Sequence, residues 1–336
     1  MEDVLILGIE TSCDETAAAI VKNGQEIISN VVNSQVPVHQ QFGGVVPEVA
    51  SRKHIENIAV VVDAAFQQAG LNYHDIDAVA VTNMPGLIGA LLVGVSFAKA
   101  FAYGIERPLI AVNHLRGHIY ANFLEHNNIE FPAVCLVVSG GHSSILWMPD
   151  DDTLEVIGET RDDAAGEAFD KVARFLGLGY PGGPAVQKAA AQGDPNKVVL
   201  PRVFLDRSDY EFSFSGLKTA AMNEWKKAEK RGTATVYDMA ASFQAALVDV
   251  LAEKTIRAAR QYRAKSILLA GGVAANTALR LQLKQRSQEQ PFSLYYPSLS
   301  LCTDNAAMIA GSAYASFIKG YFAPLTLNAQ PGQGSL

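Results

Sequence analysis

The chain has 336 residues, 49% of them hydrophobic and 18% charged, which suits an α/β protein of one large or two medium domains. A formal net charge of −7 excludes a global basic field, so a nucleic-acid partner would need a local cationic patch. Three scattered cysteines (Cys13, Cys135, Cys302), no CxxC pair, an acidic start without a leader pattern and no apolar run of spanning length point to reduced thiols in a cytoplasmic, membrane-free setting.

Taken in order, VLILGIE at 4–10 reads as a buried strand, TSCDE as a polar turn and TAAAIV at 16–21 as a second strand. Residues 48–69 read as one long helix stopped by Gly70. Strand 77–82 leads into a small-residue helix over 86–103, and LIAVNH at 109–114 is a strand delivering His114 at its end. The strand–turn–strand shape recurs at 134–148, and a third apolar strand at 266–270 runs into GGVAAN and a helix. The recurrence suggests a duplicated domain. Residues 201–232 break the pattern and read as a polar insertion outside the core. Within it, 216–231 carries five basic residues against two acidic ones, the best local cationic patch in the chain, although a solvated helix face accounts for it equally well.

His114 and His118 stand four apart in HLRGH, one helical turn, so both imidazoles would leave one helix face. Asp304, in the distant run CTDN, would complete two His and one carboxylate around a metal, with coordination positions left open as in catalytic sites. Leu115 occupies the place where a zinc peptidase of the HExxH kind carries its general base. Three turns carry paired glycines at SGGH (139–142), YPGGP (180–184) and AGGVAAN (270–276), where backbone N–H groups can approach a phosphate; the last is the strongest, because it joins a buried strand to a helix. In GEAFDK, Glu167 and Lys171 form an i,i+4 pair of the kind that ordinarily solvates a helix, and Asp170 could reach a ribose hydroxyl. Asp14 and Glu15 could orient or deprotonate an incoming amine, or could simply close a hydrogen-bonded turn.

Together the runs GIETSCDET (8–16), FGGVVPEVASRKH (42–54), PGLIGALLVG (85–94), HLRGH, LVVSGGHS (136–143), DDAAGEAFDKVAR (162–174), YPGGP, FSFSGLKT (212–219), AGGVAAN and CTDNAAMIA (302–310) resemble the universal tRNA threonylcarbamoyladenosine synthase family in its bacterial or organellar (TsaD) form, collinearly from about residue 4 to 320. The resemblance implies an actin, sugar-kinase and Hsp70-like (ASKHA) fold: two RNase H-like lobes around a nucleotide cleft. The first lobe would span 1–116, with 303–325 returning to it; the second would span 117–302, and 326–336 would form a tail without a usable counterpart. It further implies transfer of the threonylcarbamoyl group from threonylcarbamoyl-AMP to N6 of the adenosine 3′ of the anticodon, in tRNAs reading codons that begin with A.

Carried over residue by residue, His114, His118 and Asp304 match the family's metal ligands. Val137, Val138, Ser139, Gly140, Gly141, Asp170, Gly183 and Asn276 match its contacts to the nucleotide substrate. Two imidazoles and one carboxylate suit one iron(II) ion per subunit better than structural zinc, and zinc stays open. Expected partners are tRNA and, in bacteria, a TsaB-like paralogue and a TsaE-like ATPase; in organelles a homodimer is implied. The helices around 48–69 and 86–103 are candidates for that surface, with ordinary core as the other reading. Met84 stands where many relatives have Gly before PGL, and Gln187 where some have Asp, so no contact is carried to Gln187. The alternatives are a metallopeptidase, weakened by Leu115; a small-molecule kinase, against which the His pair speaks; and a non-catalytic scaffold, with no reason to keep three ligands.

Overall fold

The structure, a computed structural model, describes residues 3–288 and 290–332. It divides into two compact units, one of residues 1–127 and 297–336, the other of 128–296. The first unit therefore takes in 117–127 and 297–302, which the sequence reading had given to the second lobe. Of the expected tail, 333–336 lie outside the described residues. Its earlier part returns to the first unit, with Ala329 in the core and the Leu327 carbonyl accepting from Lys99 Nζ at 3.1 Å.

In the first unit the strands are β1 (Leu5–Glu10), β2 (Glu15–Lys22), β3 (Glu26–Ser34), β4 (Ala78–Met84) and β5 (Leu109–Asn113), in the order β3-β2-β1-β4-β5. The first three pair antiparallel, while β1, β4 and β5 run parallel. Its helices are α1 (Val36–His39), α2 (Pro47–Ala69), α3 (Ile88–Gly104) and α4 (His114–Tyr120). Strand alternation sends Leu7, Ile9, Ala18 and Ile20 into one core with α2 and α3, and Ile6, Ala17, Ala19 and Val21 into a second core on the other face. That second face is covered from far along the chain, as detailed below, which is why a strand at residue 5 reads as uninterruptedly apolar.

The second unit holds β6 (Ala133–Val138), β7 (Ser143–Met148), β8 (Glu155–Glu159), β9 (Ser266–Ala270) and β10 (Ser293–Tyr295), ordered β10-β9-β6-β7-β8. Again three strands pair antiparallel and the rest run parallel, so the two sheets repeat one topology, as the recurring strand–turn–strand pattern led us to expect. Its helices are α5 (Ala165–Phe175), α6 (Gly182–Ala190), α7 (Ser215–Arg231), α8 (Val236–Gln261) and α9 (Thr277–Ser287). After these the chain re-enters the first unit through α10 (Leu299–Cys302) and α11 (Ala307–Ile318). Helix α11 lies close on β1: a Cβ at Gly8 would sit 2.4 Å from the Ala306 carbonyl oxygen, so only glycine fits that crossing.

The segment 201–232 is not an insertion outside the core. Phe212 and Phe214 are fully buried and stacked with ring centroids 5.8 Å apart. Helix α7 packs Leu217, Ala221 and Ala228 inward against α5 and α8. Those three share one helix face, a periodicity masked by the Lys/Glu run on the other.

Candidate functional site

Strand β5 ends at Asn113, whose side-chain oxygen accepts from the Leu115 and Arg116 N–H groups at 2.9 and 3.4 Å and so starts α4. His114 is thus the first residue of a helix rather than the last of a strand, and His118 follows one turn later. Their rings lie 4.5 Å apart at 79°. Asp304 arrives between α10 and α11 from the far end of the chain. Its Oδ1 is 3.1 Å from His118 Nε2 and 3.5 Å from His114 Nε2, and one potential ligand atom from each of the three residues lies within 4.8 Å of the others. Gly117 permits this approach, because a Cβ there would stand 2.8 Å from Ile309 Cδ1 on α11.

Behind His114 sits Glu10, at the end of β1 and fully buried. His114 Nδ1 is 2.9 Å from Glu10 Oε2, Thr82 Oγ1 donates to the same oxygen at 2.6 Å, and the Ser12 N–H donates to Oε1. Ser12 Oγ lies 3.1 Å from His114 Nδ1. Burial pushes the Glu10 carboxyl up, but the His114 charge and hydrogen bond outweigh it and hold the group below the usual carboxylate range. For His114 burial pulls the other way, yet Glu10 and Asp304 lift its pKa to about 9. Neutral His114, donating from Nδ1 to Glu10, would turn a lone pair on Nε2 toward the Asp304 carboxylate. Two acceptors facing each other need either a second proton, which His114 carries below its pKa of about 9, or a cation that takes that proton's place. His118 Nδ1 is buried without a partner. The residues therefore fit a divalent metal.

In the same unit the β1–β2 turn carries Asp14, and Glu15 opens β2. Burial, then the charge of Asp304, raise the Asp14 carboxyl. Burial, then Asp14, push Glu15 up to about 8. Glu15 Oε1 accepts from Ser34 Oγ at 3.0 Å, whereas its Oε2 is buried without a partner. Residues from outside hold the turn by its backbone: the Gln35 N–H donates to the Asp14 carbonyl at 3.0 Å and buried His54 reaches the Cys13 carbonyl at 3.0 Å. Sequence reasoning missed Glu10, Ser12, Thr82 and His54. One signal for Glu10 was available: an acid ending an otherwise apolar strand.

The remaining residues singled out by sequence gather in the second unit. Val137 and Val138 end β6, and Ser139, Gly140 and Gly141 form the β6–β7 turn, held by the His142 N–H donating to Ser139 Oγ at 3.2 Å. A Cβ at Gly140, Gly141 or Gly183 would meet nothing within 4 Å. Their neighbours are tightly packed instead. A Cβ at Gly166 would lie 2.6 Å from the Ser139 carbonyl oxygen, and one at Gly271, whose φ is +88°, 2.4 Å from that of Val138. Asp170 Oδ1 accepts from the Gly182 N–H at 2.7 Å. Asn276 caps α9, accepting from the Leu279 N–H at 3.0 Å, and donates to Gln244 at 2.9 Å. Gln187, where some relatives have Asp, accepts from the Thr277 N–H at 2.8 Å and ties α6 to α9.

The cationic stretch is only partly available. Lys218 is mostly covered and bound to Asp163 at 2.5 Å, beside the Lys171 pairs to Asp163 and Glu167. Lys227 pairs with Glu224 at 2.6 Å, and Lys226 lies 6.0 Å over the Phe175 ring. Among the described residues no helix is long and apolar enough to cross a membrane.

Two solved structures share the fold at low identity: HypF of T. kodakarensis (TM-score 0.62, 16% identity, covering 95% of this chain and 48% of that one) and component A of the Acidaminococcus fermentans (R)-2-hydroxyglutaryl-CoA dehydratase (0.56, 16%, 93% and 98%). The chain is 70% identical over 336 residues to a tRNA N6-adenosine threonylcarbamoyltransferase of Syntrophomonas wolfei, covering 100% of this chain and 99% of that one. It is 55% identical over 333 residues to the protein of that name in Bacillus subtilis, covering 98% and 96%. Residues 26–311 match the family model described as TsaD, tRNA N6-adenosine threonylcarbamoyltransferase. With a relative this similar along its whole length, the chain belongs to the tRNA N6-adenosine threonylcarbamoyltransferase family.

Proposed function

We propose that this protein transfers the threonylcarbamoyl group of threonylcarbamoyl-AMP to N6 of the adenosine 3′ of the anticodon, in tRNAs reading codons that begin with A, and releases AMP. The observation that carries the reading is the convergence of His114, His118 and Asp304 in a chain of this family. A divalent cation held by these three, iron(II) in preference to zinc(II), would supply Lewis acidity for the carbonyl or the departing phosphate.

The exocyclic amine of adenine is a poor nucleophile, so a group that takes its proton as the C–N bond forms is required. Glu15, whose carboxyl is pushed up to about 8, is suited to that exchange in its ionised form, and Asp14 beside it to orienting the amine. In the second unit the open Gly140–Gly141 turn and Gly183 would offer backbone free of Cβ crowding to the adenylate; Val137, Val138 and Ser139 would line the same contact, with Asp170 reaching a ribose hydroxyl and Asn276 a further nucleotide contact. Leu115 is buried and offers no general base, which leaves the peptidase alternative without the group it needs.

A net charge of −7 is poorly suited to hold tRNA unaided, since phosphate contacts rest on clustered Lys and Arg. We assign that shortfall to partners: a TsaB-like paralogue with a TsaE-like ATPase, or a second copy of the chain, acting in the cytoplasm. The test is transfer from threonylcarbamoyl-AMP to unmodified tRNA by the purified protein, with and without those partners. Transfer that needs both the partners and the three ligands supports the reading; absence of transfer under every condition would overturn it.

A further inference from the structure

We infer that Glu10 is a positioning residue for His114: it fixes the imidazole as the Nδ1–H tautomer and thereby sets the strength with which the first unit holds its metal. The inference rests on the metal reading proposed above and extends it to a residue that is not itself among the three ligands. Glu10 is fully buried at the end of β1, with no Lys or Arg ion pair among the described residues, and burying a lone carboxylate is costly. Its two oxygens are instead filled from three sides. The Ser12 N–H donates to one, and Thr82 Oγ1 (2.6 Å) and His114 Nδ1 (2.9 Å) donate to the other. Thr82 is also fully buried, on the neighbouring parallel strand β4, so the carboxylate is held from β4 and from the turn after β1 before it meets the imidazole.

The consequence for His114 is directional. With the proton held on Nδ1, the basic lone pair is on Nε2, the nitrogen that faces Asp304 at 3.5 Å. A carboxylate donating electron density through the ring also makes Nε2 a stronger ligand. His118 provides an internal contrast, since its Nδ1 is buried with no partner and nothing comparable stands behind it. His114 is thus the ligand whose orientation is set in advance. Ser12 Oγ, 3.1 Å from the same Nδ1, is the competing candidate for the role.

The test uses the full chain, with Co(II) alone as a spectroscopic probe in competition with a chelator, and nitrogen NMR of the metal-free protein at alkaline pH, where the ring is neutral, to read the His114 tautomer. Glu10→Gln, nearly isosteric, should fold cooperatively, weaken Co(II) binding about tenfold to a hundredfold, and replace the single Nδ1–H signature with a tautomer mixture. Ser12→Ala should change affinity by less than Glu10→Gln. Unchanged affinity and tautomer in folded Glu10→Gln, or a larger loss in Ser12→Ala, would overturn the inference. Should Glu10→Gln not fold, Thr82→Val, which removes one restraint on Glu10, should weaken Co(II) binding a few-fold, and an unchanged affinity there would overturn it equally. If the wild type binds no Co(II), the metal reading is what fails; the His114 tautomer then still decides whether Glu10 sets the ring.

Discussion

The turn after β1 and the turn after β6 occupy the same place in two sheets of one topology, yet they are made of opposite materials. The first is Thr-Ser-Cys-Asp-Glu, and the unit around it contributes Glu10, His114, His118 and Asp304, charged or titratable side chains pressed together under burial. The second is Ser-Gly-Gly-His, and the unit around it contributes Gly166, Gly182 and Gly271 where backbone meets backbone, and Gly140, Gly141 and Gly183 where there is open space. Two sheets of one topology thus gather titratable side chains in one unit and leave open space beside bare backbone in the other. What distinguishes the copies is the chemistry on the turns rather than the fold.

The largest break in that comparison should come from the side-chain half. His118→Ala removes one of the three proposed ligands while leaving the other two in place, so metal content should fall toward zero and transfer at least about a hundredfold, with an unchanged circular dichroism spectrum. Next comes a pair of glycine variants in the backbone half. Gly182→Ala puts a Cβ 2.4 Å from Asp170 Cα, an overpacking that should cost about 1–3 kcal/mol and lower the melting temperature by several degrees. Gly141→Val fills open space, so it should leave the melting temperature alone and weaken adenylate binding instead. Equal effects of the two on melting would erase the distinction between packed and open glycines.

A smaller effect separates the halves by pH. The folded Glu15 carboxyl titrates near 8, above its ordinary value of 4.5, so the folded state keeps a proton that the unfolded chain releases. The stability this gives is present below pH 4.5 and is lost as pH rises toward 8. Glu15→Gln should thus gain in melting temperature relative to the metal-free wild type as pH goes from 5 to 8. A constant gap across that range would contradict the raised carboxyl. The smallest expected effect lies on α7. Replacing Lys226, Lys227 and Lys230 by Glu should weaken tRNA binding and flatten its salt dependence while adenylate affinity and metal content stay constant. Lys218 is left out, because Asp163 already holds it. An unchanged salt slope would make this helix an ordinary solvated face.

Legibility in the sequence followed the same division. The His pair and the repeated strand–turn–strand pattern could be read directly, since a four-residue spacing and a run of alternating or continuous apolar residues are local signals. Glu10 was invisible as a partner of His114, because the hydrogen bond spans 104 residues and forms only when β1, β4 and the start of α4 come together. Helix α7 was misjudged because Leu217, Ala221 and Ala228 are sparse among lysines, and burial against α5 and α8 is a tertiary fact. The unit boundary moved from 116 to 127 for a related reason: residues 117–124 of α4 and the following turn find their apolar partners on α11, some 190 residues later.

The central claim is that the His114–His118–Asp304 cluster binds a metal on which transfer depends. The most direct measurement strips the wild-type protein with a chelator, quantifies bound metal, and follows threonylcarbamoyl transfer to unmodified tRNA before and after iron(II) is restored in the presence of the same partners. Activity that falls with metal content and returns on reconstitution in the wild type, but does not return in His118→Ala, is the predicted result. Full transfer by metal-free protein would contradict it.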